Sequence, residues 1–199
     1  MTEKTTLTEL SLFTGFGGFS LGLRLAGLKT RTIGYVEIEP YCQELLRARI
    51  RDGLLDWAPI IRDVRSADFR PMAGMVDIIT AGFPCQPHSK AGLRKGEQDE
   101  RNLWPDTLRV IRETKPRYAL LENVPGLLSS TGNSDMESTG SALGDVTIGT
   151  PGYAATIVGQ LAEIGYDCEW HIVSAEDAGA PHLRERWWCF AHKVADSEG

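Results

Sequence analysis

Apolar and polar positions divide the chain into short apolar runs that end at glycine or proline, separated by longer amphipathic stretches. Thr8 to Phe13 (T-E-L-S-L-F) alternates as a strand does, Gly15, Gly17 and Gly18 follow at once, and Leu21, Leu23 and Leu25 then mark a helix. Thr32 to Val36 predicts a second strand, ending at Glu37, and Tyr41 to Ile50 a helix with Tyr41, Leu45, Leu46 and Arg49 at helical spacing. Val76, Ile78 and Ile79 form an apolar run that stops at Gly82, which predicts a buried strand feeding a loop. Asn102 or a neighbour opens a helix with Leu103, Trp104, Leu108 and Ile111 on one side and Pro105 in its tolerant first turn; Lys115-Pro116 ends it. Tyr118 to Leu121 predicts a strand, and Ala155 to Ile164 a helix stopped by Gly165. Strands follow over Cys168 to Val173 and, buried, over Trp187 to Ala191. Ser129 to Gly149, rich in Ser, Thr, Gly and Asp, has no period and reads as a loop or a locally disordered insertion. Strands alternating with helices predict an α/β fold, a mostly parallel sheet with helices on both faces.

Composition narrows this picture. A chain of 199 residues suits one domain, or one large domain with a piece missing. Cys42, Cys85, Cys168 and Cys189 are widely separated, with no C-x-x-C pair and no signal peptide, so reduced thiols in a cytoplasm are expected over disulfides or a metal site. No apolar stretch reaches membrane-spanning length. The net charge of −6 argues against a generally DNA-gripping surface, although a local basic face is enough. Lys90, Arg94, Lys95 and Arg101 are candidates for such a face, but Glu97, Asp99 and Glu100 are interleaved with them, so an ordinary mixed-charge surface is an equal reading.

Candidate chemistry gathers where the strands end. Cys85 lies in G-F-P-C-Q-P-H-S, where Pro84 and Pro87 stiffen the loop that presents the thiol. A nucleophile gains from that stiffness because its orientation is fixed during folding. The glycine turn offers close backbone approach and free helix N–H groups, though Ser20 stands where a third glycine would complete G-x-G-x-x-G. Glu37, about 20 residues beyond that turn at a strand's carboxyl end, suits acceptance from ribose hydroxyls. Glu122, between Leu121 and Val124, reads either as a desolvated carboxylic acid with a raised pKa or as a surface carboxylate capping the helix after Pro125. Arg184 and Arg186, two apart in an extended segment, point the same way, toward a phosphate or base carbonyl or into a salt-bridge cluster with Glu185 or Glu176.

Gly82-Phe83-Pro84-Cys85-Gln86-Pro87-His88-Ser89 resembles the nucleophile motif of cytosine-5 DNA methyltransferases, and further blocks of that family follow in order from Leu10 to about Ala191. The resemblance implies the S-adenosylmethionine-dependent, Rossmann-like methyltransferase fold. It implies that S-adenosylmethionine binds at Phe13, Gly15, Gly17, Gly18, Glu37, Ile38, Asp63, Val64 and Pro84, with Ile38 on the adenine face and Asp63 accepting from the adenine amino group. Cys85, Glu122, Arg184 and Arg186 become the catalytic set. Cys85 is expected to add to C6 of cytosine while Glu122 protonates or hydrogen-bonds N3; C5 then takes the methyl group and loses its proton as Cys85 leaves. The substrate implied is double-stranded DNA with the target cytosine flipped out, in a restriction-modification setting.

The sequence departs from the family at His182, where glutamine is more common, and after Lys193, where a target-recognition region and two further blocks would follow. Residues 1–199 are therefore expected to be a catalytic and cofactor-binding domain incomplete at its C-terminus, either a fragment or one of two polypeptides. A tRNA-directed relative and a non-catalytic cofactor-binding subunit are the alternatives.

Overall fold

The computed structural model describes residues 6–84, 102–128 and 152–194. Its strands are β1 (Leu7–Leu12), β2 (Thr30–Val36), β3 (Ile60–Ile61), β4 (Ile78–Ala81), β5 (Tyr118–Asn123), β6 (Tyr166–Val173) and β7 (Arg186–Lys193). The helices are α1 (Gly18–Leu25), α2 (Pro40–Arg51), α3 (Trp104–Thr114) and α4 (Tyr153–Glu163). All seven strands join one sheet in the order β3-β2-β1-β4-β5-β7-β6. Strands β1 to β5 pair in parallel, and β7 runs antiparallel to both of its neighbours. The expected α/β architecture is what the chain adopts.

One face of the sheet holds most of the apolar core. Leu10, Leu12, Ile79, Ala81, Ala119, Leu121, Trp187, Cys189 and Ala191 are buried there with Trp104, Leu108 and Ile111 of α3 and Ile157 and Leu161 of α4. Each such large side chain contributes about 1.5–3 kcal/mol relative to exposure. The intervening positions of β1 are polar and equally buried, since the strand is central and covered on both faces. Glu9, fully buried, accepts from Thr80 Oγ1 at 2.8 Å and from Thr32 Oγ1 at 2.6 Å. Ser20 of α1 closes over the same Thr32 hydroxyl at 3.4 Å.

The structure differs from the sequence expectation at several points, beyond shifts of one or two residues at element ends. β3 has only two residues, too short to show alternation, and is defined by pairing Tyr35 and Val36 with Ile60 and Ile61. Phe13 does not continue β1: its φ of 52° turns the chain out of the strand, an uncommon geometry for a large side chain. β6 starts at Tyr166, whose hydroxyl donates to the Pro116 carbonyl at 2.5 Å. The predicted insertion at 129–149 lies outside the described residues.

Candidate active site at the carboxyl ends of the strands

In an open α/β sheet, ligands bind beyond the carboxyl ends of parallel strands. The expected residues are found at that edge: Phe13 to Gly17 follow β1, Glu37 follows β2, Arg62 to Val64 follow β3, Gly82 to Pro84 follow β4, and Glu122 nearly ends β5. The reversal of β7 places its first residue at the same edge. Glu122 pairs with Trp188 in the β5–β7 ladder, and Arg186 Nε lies 2.7 Å from Glu122 Oε1.

Two cavities open here, with Phe13 and Gly82 lining both. The first, about 560 Å³, is lined by Phe13, Glu37, Ile38, Asp63, Val64 and Pro84, together with Cys42 and Leu103. The second, about 900 Å³, is lined by Phe13, Gly15 and Gly18, by Phe19 and Leu23 of α1, and by Glu122, Arg184, Arg186 and Trp188. Gly17 lines neither. Its φ of 86° makes it the left-handed residue before α1, and a Cβ on it would lie 2.7 Å from Leu55 Cδ1.

Glu37 is buried, and its carboxylate ties the glycine turn to β2. Oε2 accepts from the Gly15 amide at 2.6 Å and Oε1 from the Glu39 amide at 2.8 Å. Each carboxylate oxygen has a second lone pair, so the group can still accept from a ligand. Asp63 Oδ1 accepts from the Arg65 amide at 2.9 Å, which orients its side chain beside Val64. An acidic acceptor at β2, a second one after β3, and Ile38, Phe13 and Val64 as apolar walls suit a nucleoside, and the volume falls in the range of small-molecule sites. These residues therefore fit the adenosine end of S-adenosylmethionine.

Cys85 lies outside the described residues, as do Lys90, Arg94, Lys95 and Arg101. The segment's entry and exit are nonetheless held: Asn123 Nδ2 donates to the Phe83 carbonyl at 2.9 Å, and the Leu103 amide donates to the Pro84 carbonyl at 3.2 Å. Pro84, to which Cys85 is joined, lines the smaller cavity.

Burial pushes the Glu122 carboxyl above its usual range, outweighing the opposing pull of Arg186 and Arg184. The direction agrees with the sequence reading, but the neighbours responsible differ. Leu121 points to the opposite face of β5 and Val124 is exposed. Around Glu122 lie Gly82, whose missing Cβ would lie 3.0 Å from Oε2, Trp188, its partner in the β5–β7 ladder, and Phe19, which lines the same cavity. Arg186 pairs with Glu122 and not with Glu185 or Glu176 as the salt-bridge reading held, while its Nη1 donates to the Glu185 carbonyl at 2.8 Å. Neither Phe19 nor Trp188 carries a local sequence signal for lining this cavity, because their ring contact joins elements far apart in the chain.

Strand order, the reversed β7 and a nucleoside-sized cleft at the strand ends define the S-adenosylmethionine-dependent methyltransferase fold. The structure of Schizosaccharomyces pombe Dnmt2 methyltransferase superposes with a TM-score of 0.69 at 22% identity, covering 97% of this chain and 53% of that one. The model of the C-5 cytosine-specific DNA methylase family matches residues 7–198, and the chain belongs to that family. Among curated relatives, Type II methyltransferase M.NgoMIV of Neisseria gonorrhoeae is 35% identical over 179 residues, 90% of this chain and 49% of that protein. Type II methyltransferase M.CviJI of Paramecium bursaria Chlorella virus IL3A is 36% identical over 183 residues, 92% of this chain and 42% of its own length. The chain thus spans about half the length of these relatives.

Proposed function

We propose that this chain is the catalytic and cofactor-binding portion of an enzyme that methylates C5 of cytosine in double-stranded DNA. The observation that carries the reading is the pairing of Glu122 with Arg186 in the larger cavity, with Gly82 of the segment that leads to Cys85 against the Glu122 carboxyl and the nucleoside-sized cleft adjoining. Phe13, Glu37, Ile38, Asp63, Val64 and Pro84 would hold S-adenosylmethionine, with the glycine turn at 15–18 beside it. When bound, the cofactor supplies an electrophilic methyl group.

Cytosine C5 is a weak nucleophile, so the Cys85 thiolate forms a bond to C6 and pushes an electron pair into the ring. Glu122, whose carboxyl is shifted by burial toward the protonated form, donates to N3 and spreads that charge. Arg184 and Arg186 hold Glu122 in place and present cations toward the base carbonyl or a phosphate. After methylation, loss of the C5 proton to water re-forms the C5–C6 double bond and expels Cys85 as thiolate, and N3 returns its proton to Glu122. C6 is inaccessible in a stacked duplex, so the cytosine is flipped into the larger cavity.

The matched relatives are about twice as long, which supports a target-recognition region supplied either by a continuation of this polypeptide or by a second one.

The test is covalent trapping on duplex DNA containing 5-fluorocytosine, with S-adenosylmethionine and the complementing polypeptide present. A denaturant-stable adduct that disappears in Cys85→Ser is expected, because a serine hydroxyl is far less ionised than a thiol. Trapping on tRNA but not on duplex DNA would redirect the substrate; cofactor binding with no adduct on either would mark a non-catalytic subunit.

A further inference from the structure

To act as an acid toward the base, the Glu122 carboxyl must be held in one orientation, and the larger cavity that it lines is wide. The rings of Phe19 and Trp188 lie edge to face, centroids 5.6 Å apart at 69°. Trp188 stands directly opposite Glu122 in the β5–β7 ladder, so the two side chains leave the sheet on the same face. On the other flank is Gly82. A Cβ placed there would lie 3.0 Å from Glu122 Oε2 and 3.5 Å from Phe19 Cε2, so carboxyl and ring converge on space that only a glycine leaves open.

We infer that Phe19 and Trp188 are positioning residues, forming an apolar wall that presses the Glu122 carboxyl against Gly82 and toward Arg186 at the edge of the larger cavity. The inference deepens the proposed mechanism and rests on Glu122 being its acid. Charges facing Glu122 among the described residues come from one side: Arg186 on β7 and Arg184 just before it. On the β4 side it faces Gly82, and Phe19 of α1 lines the same cavity, neither titratable. Both arginines favour the ionised form, yet the carboxyl is displaced toward the protonated one, with burial as the largest cause. The rings supply apolar surface where that burial is needed.

The experiment is a carbon-13 titration of the glutamate carboxyls in the full chain, with the Glu122 signal assigned by its loss in Glu122→Gln. In the wild type Glu122 should titrate above the ordinary glutamate range. Trp188→Ala and Phe19→Ala should each return the midpoint at least halfway to that range, and Phe19→Leu, which keeps apolar bulk, should leave it within a few tenths of a pH unit. If the alanine variants do not fold, Trp188→Gln, which keeps the bulk in polar form, asks the same question. Midpoints unmoved in folded variants would overturn the inference. In the complemented enzyme, the wall variants should lower kcat and shift its pH profile in the same sense as the titration, with KM for cofactor unchanged. Full methyl transfer by Glu122→Gln would instead sink the acid role and leave the titration result standing, so the two failures are distinguishable.

Discussion

Arg186 Nε meets Glu122 Oε1 at 2.7 Å, yet the carboxyl it pairs with is held above, not below, its usual range, because burial outweighs the guanidinium. A group with a raised folded-state pKa binds its proton more tightly in the native state. Its contribution to stability is full below the unfolded value and is lost as pH rises through the folded one. Glu122→Gln cannot titrate, so the stability of wild type relative to this variant should fall as pH climbs from the ordinary glutamate range through the raised value, then stay flat. Urea unfolding at a series of pH values measures the difference; a constant gap, or one that grows in favour of wild type, would contradict the assignment.

Glu37 accepts from the Gly15 and Glu39 amides. Glu37→Ala should therefore weaken the cofactor and loosen the turn together. Hydrogen bonds to a charged acceptor are worth roughly 1.5–3 kcal/mol, so cofactor affinity should drop at least about tenfold by calorimetry. Stripping partners from two amides should also lower stability by about 1–3 kcal/mol. Glu37→Gln keeps the shape but turns an NH₂ toward one of the amides, and should fall between. Unchanged cofactor affinity in the alanine variant would remove Glu37 from the ribose.

Much of this edge was legible in the sequence because apolar runs ended at punctuated positions: Gly15 after β1, Glu37 after β2, Gly82 after β4. What was not legible depended on contacts between distant segments. The Glu122–Arg186 pair exists because β7 inserts antiparallel between β5 and β6, and neither strand's pattern announces its neighbour. Alternation such as that of β1 is the pattern of a half-buried strand, but as a central strand β1 buries Glu9 and Ser11 as well. The left-handed Phe13 left no mark in composition, since sequence rules reserve that geometry for glycine.

The two left-handed glycines of the turn should respond differently to substitution. At Gly15, with φ of 55°, a Cβ meets nothing within 4 Å, so Gly15→Ala carries mainly the left-handed cost of roughly 1–2 kcal/mol. At Gly17, with φ of 86°, a Cβ would lie 2.7 Å from Cδ1 of the buried Leu55, so that core side chain must also shift. Gly17→Ala should therefore have the lower denaturant midpoint. Equal midpoints would show that Leu55 moves aside freely.

The 199-residue chain by itself should bind DNA weakly, with steep salt dependence and no sequence preference, and should methylate poorly or not at all. Its net charge is −6, and Arg184 and Arg186 reach the site already committed to Glu122, Arg186 by direct contact and Arg184 through its charge. A few phosphate contacts give low affinity that falls quickly with salt. Sequence reading needs side chains inserted into a groove, and the described residues after Arg186 are taken up by β7, packed between β5 and β6. Supplying the half of the family's length that this chain does not span should raise activity and confine it to one short motif. The measurement is methylation of a mixed-sequence plasmid read by bisulfite sequencing, with and without that half. Efficient methylation of a single motif by the chain alone would place target recognition within these 199 residues.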